Sequence, residues 1–136
     1  MTFQEKQQEL IDDFALFDDW EGKYEYLIDL GKKLPIIAPE LKTESRLVQG
    51  CQSRVWLNGD LKNGKVEFTA DSDAIITKGI ISLLVNVFNG ESPSTVANAD
   101  MDFINKIGLK EHLSPTRSNG LVSMIKQMKT FAVLNS

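Results

Sequence analysis

Cys51 is the only thiol in the chain. It stands in the run Leu47-Val48-Gln49-Gly50-Cys51-Gln52-Ser53-Arg54-Val55-Trp56, directly after a glycine and before an apparent hairpin. A cysteine on such a strand-flanking loop, between the polar Gln49 and Gln52 and with Arg46 and Arg54 close by, suits sulfur-based chemistry. The thiolate is the nucleophile, and a neighbouring cation favours it. Free cysteine is also among the most buried residue types. The residues alone therefore leave two readings level, a small structural hydrophobe and a reactive thiol.

What a single thiol excludes is sharper. A closed zinc or iron–sulfur site needs several ligands at short spacing, and Cys51 with the single histidine, His112, cannot supply them. No second cysteine exists to form a disulfide or to resolve a sulfenic acid or mixed disulfide. Acyl or peroxide chemistry by a Cys51–His112 pair requires the two side chains to meet beside an orienting group and an oxyanion hole. The place of His112 just before Leu113-Ser114-Pro115 suits loop packing or helix capping as well. Arg117 is either a solvated first-turn residue or a group with a specific partner, because an arginine at a helix start opposes the dipole. Asp71 and Asp73 most simply cap a third helix. Glu5, Glu9, Asp12 and Asp13 form a solvated acidic face.

The 136 residues, 42% hydrophobic and 25% charged, are those of one globular domain, 1–136, with a real core. The net charge of −4 and the scattered basic residues argue against nucleic acid as a partner. The longest apolar stretch, 79–88, is interrupted by Ser82 and Asn86 and is too short to span a bilayer, so no membrane insertion is expected. The start Met1-Thr2-Phe3-Gln4-Glu5 has neither a basic nor an apolar leader region, and a cytoplasmic location is the expectation.

The elements that must position Cys51 follow from periodicity. Thr2 and Glu5 form a capping box ahead of Leu10, Ile11, Phe14 and Phe17 at helical spacing. Asp18 and Glu21 open a second helix carrying Trp20, Tyr24, Leu27 and Ile28, which ends at Gly31 and Pro35. Ile36 and Ile37 are expected to pack on the core from a surface linker. From Val55 the period becomes two, and Asn63-Gly64 marks a hairpin turn between Val55-Leu57 and Val66-Phe68-Ala70. Arg46 to Gln49 is expected as a third antiparallel strand, placing Gly50-Cys51 at the tip of a connection. Ser72 or Asp73 then caps a helix, apolar around most of its circumference from Ile75 to Phe88, which must be central and which Gly90 closes. Ser94 to Asp100 is expected as a loop or partial turn. A short helix from Met101 to Ile107 stops at Gly108, and Ser114-Pro115 start a last helix with Leu121, Met124, Ile125, Met128 and Ala132 buried. The sum is an α+β domain, helices packed around a small antiparallel sheet of about three strands.

Several segments together resemble the SufE family of sulfur acceptors. They are Gly50-Cys51-Gln52-Ser53-Arg54-Val55-Trp56, Trp20-Glu21 with Lys23-Tyr24, Leu30-Gly31 with Leu34-Pro35, Asp71-Ser72-Asp73-Ala74 with Lys78-Gly79, and His112-Leu113-Ser114-Pro115-Thr116-Arg117-Ser118-Asn119-Gly120-Leu121. They occur in the family's order and spacing along nearly the entire chain. One departure is a hairpin that looks shortened around Asn58-Gly59-Asp60. The resemblance implies a fold similar to the IscU-type scaffold proteins. It also implies an acceptor cysteine, Cys51, that takes sulfane sulfur as a persulfide from a SufS-like pyridoxal-phosphate cysteine desulfurase. Such a protein stimulates that enzyme and passes the sulfur to a SufBCD-like iron–sulfur scaffold complex. It is a carrier with no cofactor and no metal of its own, not a stand-alone enzyme. A CsdE-like acceptor, serving another desulfurase and other sulfur-transfer routes, is the alternative within the family. Homodimer formation stays open. Between encounters the Cys51 loop is expected to shelter against Trp56 or the last helix, with Arg117 as a loop or partner contact.

Overall fold

Backbone polar groups and apolar stripes together dictate the architecture seen in the computed structural model, which describes residues 1–136. Helix α1 (Phe3–Ala15) starts at the expected capping box, with both reciprocal hydrogen bonds between Thr2 and Glu5. Helix α2 (Trp20–Lys32) is capped by Asp19, one residue later than the sequence signal suggests; its carboxylate accepts from the Gly22 N–H at 2.8 Å. Strands β1 (Val55–Lys62) and β2 (Lys65–Ser72) pair antiparallel, Val55 opposite Ser72 through to Lys62 opposite Lys65. Pairing runs straight through Asn58-Gly59-Asp60. Asn63 and Gly64 both have positive φ, 55° and 76°, as the tight two-residue turn requires.

The expected third strand shrinks to one bridge. Arg46 belongs to a 3₁₀ turn, and only Leu47 bridges to Trp56, with the Val48 N–H donating to the Val55 carbonyl at 2.8 Å. The sheet is therefore two-stranded, flanked by that bridge and by a parallel one from Ile36 to Ala70. Of the two linker isoleucines, Ile37 is buried and Ile36 is about half exposed, because the bridge turns alternate side chains to opposite faces.

Helix α3 (Ile75–Phe88) is central as its composition demands, with ten of its fourteen residues buried. Neither Ser72 nor Asp73 caps it: the N-cap is Ala74, which has no side-chain hydrogen bond. Ser72 Oγ instead accepts from Ala74 N–H just before the helix, and Asp73 Oδ1 accepts from Arg54 N–H at the start of the hairpin. The helix ends at Asn89, whose amide pairs with both backbone groups of Phe68 at 2.7 and 3.0 Å. Three short helices follow: α4 (Pro93–Ala97) where a loop or partial turn was expected, α5 (Asp102–Ile107) stopped by Gly108 in the left-handed conformation, and α6 (Leu109–His112). Helix α7 (Pro115–Leu134) begins with Ser114 as cap and Pro115 as first residue. It lays Leu121, Met124, Met128 and Ala132 on the core and Phe131 over the sheet at Gly59 and Phe68. No helix is long and apolar enough to cross a membrane.

Candidate functional site

The segment from Gln49 to Arg54 is a loop closed at both ends. At its base lie the Leu47–Trp56 bridge and the Val48–Val55 hydrogen bond; at its far side Asp73 accepts from Arg54 N–H at 3.1 Å and donates its own N–H to Arg54 O at 3.3 Å. Gly50 sits at φ +87°, a conformation L side chains avoid, and a Cβ there would lie 2.5 Å from Ser123 Oγ on α7. This glycine lets the loop lie directly on the last helix.

Cys51 then turns inward. Its thiol donates to the Gly120 carbonyl at 3.7 Å, and Gly120 offers no side chain to obstruct it, since a Cβ there would stand 3.3 Å from Sγ. The expected shelter is therefore α7, not Trp56. The Trp56 ring carries the Lys42 ammonium 4.4 Å from its centroid, and Lys42 and Lys78 both pair with Asp71, at 3.0 and 3.5 Å. Burial works to raise the Asp71 pKa, but the Lys42 hydrogen bond, the Ser72 N–H and the two ammonium charges outweigh it and hold the carboxyl below its ordinary value. Asp71 thus clamps the linker to the sheet and α3.

Beside the thiol opens a cavity of about 360 Å³. Ile80 and Met124 supply its apolar wall, and Ser53, Thr116 and Arg117 its polar rim. The structure brings Cys51 and Arg117 to one cavity. Arg117 is exposed, its backbone N–H donates to Ser114 Oγ at 3.3 Å, and its guanidinium forms no ion pair. His112 does not line the cavity. Its ring packs edge-on against Trp20 with centroids 4.0 Å apart, and its carbonyl accepts from Tyr24 Oη at 2.6 Å. The Cys–His pair is thereby not assembled. Arg46 and Arg54 are also committed elsewhere, to Asn58 and Glu44. Burial alone pushes the Cys51 thiol up from its ordinary pKa.

Sequence reasoning missed Thr77 and Gly120 as parts of this site. Thr77 was detectable as one of two hydroxyls on a mostly apolar helix, and Gly120 as a glycine inside a helical run. No group of histidine, cysteine and carboxylate side chains is arranged to hold a metal.

Comparison with known proteins agrees with this architecture. Residues 8–132 match the SufE family, described as an Fe-S metabolism associated domain. An uncharacterized SufE-like protein of Rhizobium meliloti (strain 1021) is 43% identical over 129 residues, covering 91% of this chain and 92% of the relative. A second, from Rhizobium etli, is 44% identical over 126 residues, covering 89% and 85%, and a third, from Synechocystis sp., is 38% identical over 124 residues, covering 91% and 78%. The solution structure of a hypothetical protein from Thermus thermophilus superposes with a TM-score of 0.80 at 24% identity, over 96% of this chain and 95% of that one, and shares the fold. With a family match over nearly its full length and relatives this similar, the chain belongs to the SufE family, and with it to sulfur transfer in Fe-S metabolism.

Proposed function

We propose that this chain is a sulfur acceptor and carrier whose acceptor atom is Cys51 Sγ. The Cys51 thiolate attacks the outer sulfur of a desulfurase's cysteine persulfide. A new S–S bond forms on Cys51, the donor's S–S bond breaks, and the electron pair stays on the donor cysteine as a thiolate, so no outside oxidant or reductant is needed. The donor is a SufS-like pyridoxal-phosphate desulfurase, which removal of its sulfur stimulates, and the recipient is a SufBCD-like iron–sulfur scaffold. The observation that carries this reading is the seat of the sole thiol, at the tip of a loop and half-buried over a cavity with room for a further sulfur atom. The placement of His112 on Trp20 removes support from the rival thiol-hydrolase reading.

Incubation with a cysteine desulfurase and cysteine, followed by intact-mass spectrometry under non-reducing conditions, is expected to show the gain of one or more sulfur atoms. The gain disappears with dithiothreitol and does not occur in Cys51→Ser. A wild-type chain that gains no sulfur from any competent desulfurase sinks the proposal.

An inward thiol cannot meet a donor persulfide, so the loop has to swing outward on docking. Hydrogen exchange of Gln49 to Ser53 is expected to speed up when the desulfurase binds. Equal protection with and without the enzyme overturns the swing.

A further inference from the structure

Two polar side chains are buried in this molecule, both on α3. Ser82 is fully enclosed and donates to the Leu30 carbonyl at 2.6 Å. Thr77 is 6% exposed and its hydroxyl has no hydrogen-bond partner in the protein. No fully enclosed side-chain oxygen or nitrogen lacks a partner, so the Thr77 hydroxyl must open onto the space it lines, the cavity beside Cys51. A hydroxyl that opens onto this space is met by solvent and not by the protein, so no hydrogen bond of the fold depends on it, and valine has the same shape. Fold stability therefore gives no reason for threonine here.

The rest of the cavity points the same way. Ser53 and Thr116 line it, with Arg117, which has no ion pair, and the first turn of the 20-residue α7, where the dipole is positive. No carboxylate lines it. Donors and positive potential converge on a space that contains no negative group, which is an arrangement for an anion. The resident thiol is not that anion: it is seated as a donor to the Gly120 carbonyl, and burial works against its ionisation. A persulfide is more acidic than its parent thiol, and its outer sulfur stands one S–S bond, about 2.05 Å, beyond Sγ.

Building on the carrier reading, we propose that the cavity holds the outer sulfur of the Cys51 persulfide as an anion, with the Thr77 hydroxyl donating to it. Once the S–S bond has formed, the proton on the outer sulfur leaves to solvent through the open rim, and the charge that remains is met by Thr77 and by the positive field of Arg117 and α7. The consequence is protective. A thiolate is repelled by a negatively charged outer sulfur, so stray thiols strip the cargo slowly while the loop is in. When the loop leaves, the sulfur loses the Thr77 donor, takes up a proton and becomes attackable by the intended recipient.

The test loads the full chain with inorganic polysulfide, independently of any desulfurase, and verifies the gain of one sulfur by mass. Two rates are then read on wild type, Thr77→Val and Thr77→Ser: alkylation of the outer sulfur by iodoacetamide across pH, and removal of the sulfur by dithiothreitol at neutral pH. Thr77→Val is expected to shift the alkylation midpoint up by about one pH unit and to speed stripping by about tenfold, the loss of one charge-assisted hydrogen bond. Thr77→Ser restores both, and Thr77→Val melts no lower than wild type. Identical midpoints and stripping rates in wild type and Thr77→Val overturn the proposal, as does a lowered melting temperature, which would mean the hydroxyl has a structural partner. If polysulfide loads the wild type and a desulfurase does not, that outcome counts against the carrier reading alone.

Discussion

Alanine at position 79 is expected to lower the melting temperature by about 10 °C, the loss of about 3 kcal/mol in a domain of this size. Helices α2 and α3 cross so closely that a Cβ on Gly79 would overlap the Leu27 carbonyl, and a Cβ on Gly31 would stand 3.1 Å from the Gly79 amide nitrogen. Backbone meets backbone there, so no flexible side chain can give way. The helices must separate, and α3 is the element on which the sheet and α2 both pack. Alanine returns about 1 kcal/mol of helix propensity, which the overlap exceeds. Gly31→Ala, whose clash is milder, is expected to lose less than Gly79→Ala. Thermal unfolding followed by circular dichroism measures both, and a Gly79→Ala protein that melts with the wild type refutes the close crossing.

This crossing explains two of the short segments that carried the family resemblance, Leu30-Gly31 and Lys78-Gly79, in terms of packing. The elements most legible in the sequence were those whose signal is local: the Thr2–Glu5 box, the Asn63-Gly64 turn, the Gly108 stop and the Ser114-Pro115 start each act within a few residues and stand where expected. What failed was decided by tertiary partners. Asp73 has a capping residue's chemistry but accepts from Arg54, nineteen residues earlier in the chain. Arg46–Gln49 leads into the hairpin where a third strand is expected, but a 3₁₀ turn takes its first residue and leaves a single bridge. The site divides in the same way. Cys51 declared itself through its uniqueness and its glycine, whereas its inward orientation depends on α7, which starts sixty-four residues later. Nothing local to Cys51 announces that Gly120 receives it, or that Arg46 and Arg54 are occupied by Asn58 and Glu44.

Gly120→Ala separates the seat of the thiol from the stability of the fold. A Cβ at 120 would press on Sγ at 3.3 Å, and the side that yields is the loop, which is held only at its ends, rather than the 20-residue helix beneath it. The helix gains propensity, so global stability is expected to hold or rise slightly. The thiol is displaced toward solvent, and its alkylation at neutral pH is expected to quicken by about tenfold, the range over which partial burial moves a thiolate population. The pH dependence has a definite sign. In the wild type, burial pushes the thiol up from its ordinary pKa. Below that ordinary value the sheltered and extended loops both carry the protonated thiol, and neither is favoured by pH. As pH rises past it, the extended loop releases its proton first, so alkali draws the loop outward, and the stability of the inward position is lost as pH passes through the raised value. The alkylation midpoint of native wild type therefore lies above that of the urea-unfolded chain, and Gly120→Ala brings the native midpoint down toward it. A native midpoint equal to the unfolded one in the wild type would mean that the thiol is not seated on Gly120 in solution. A Gly120→Ala midpoint unchanged from wild type, in a protein that melts normally, would mean that the helix and not the loop accommodates the methyl group. If the loop is what yields, the same methyl group is expected to cost the persulfide its shelter, because the outer sulfur leaves the cavity together with the atom that carries it.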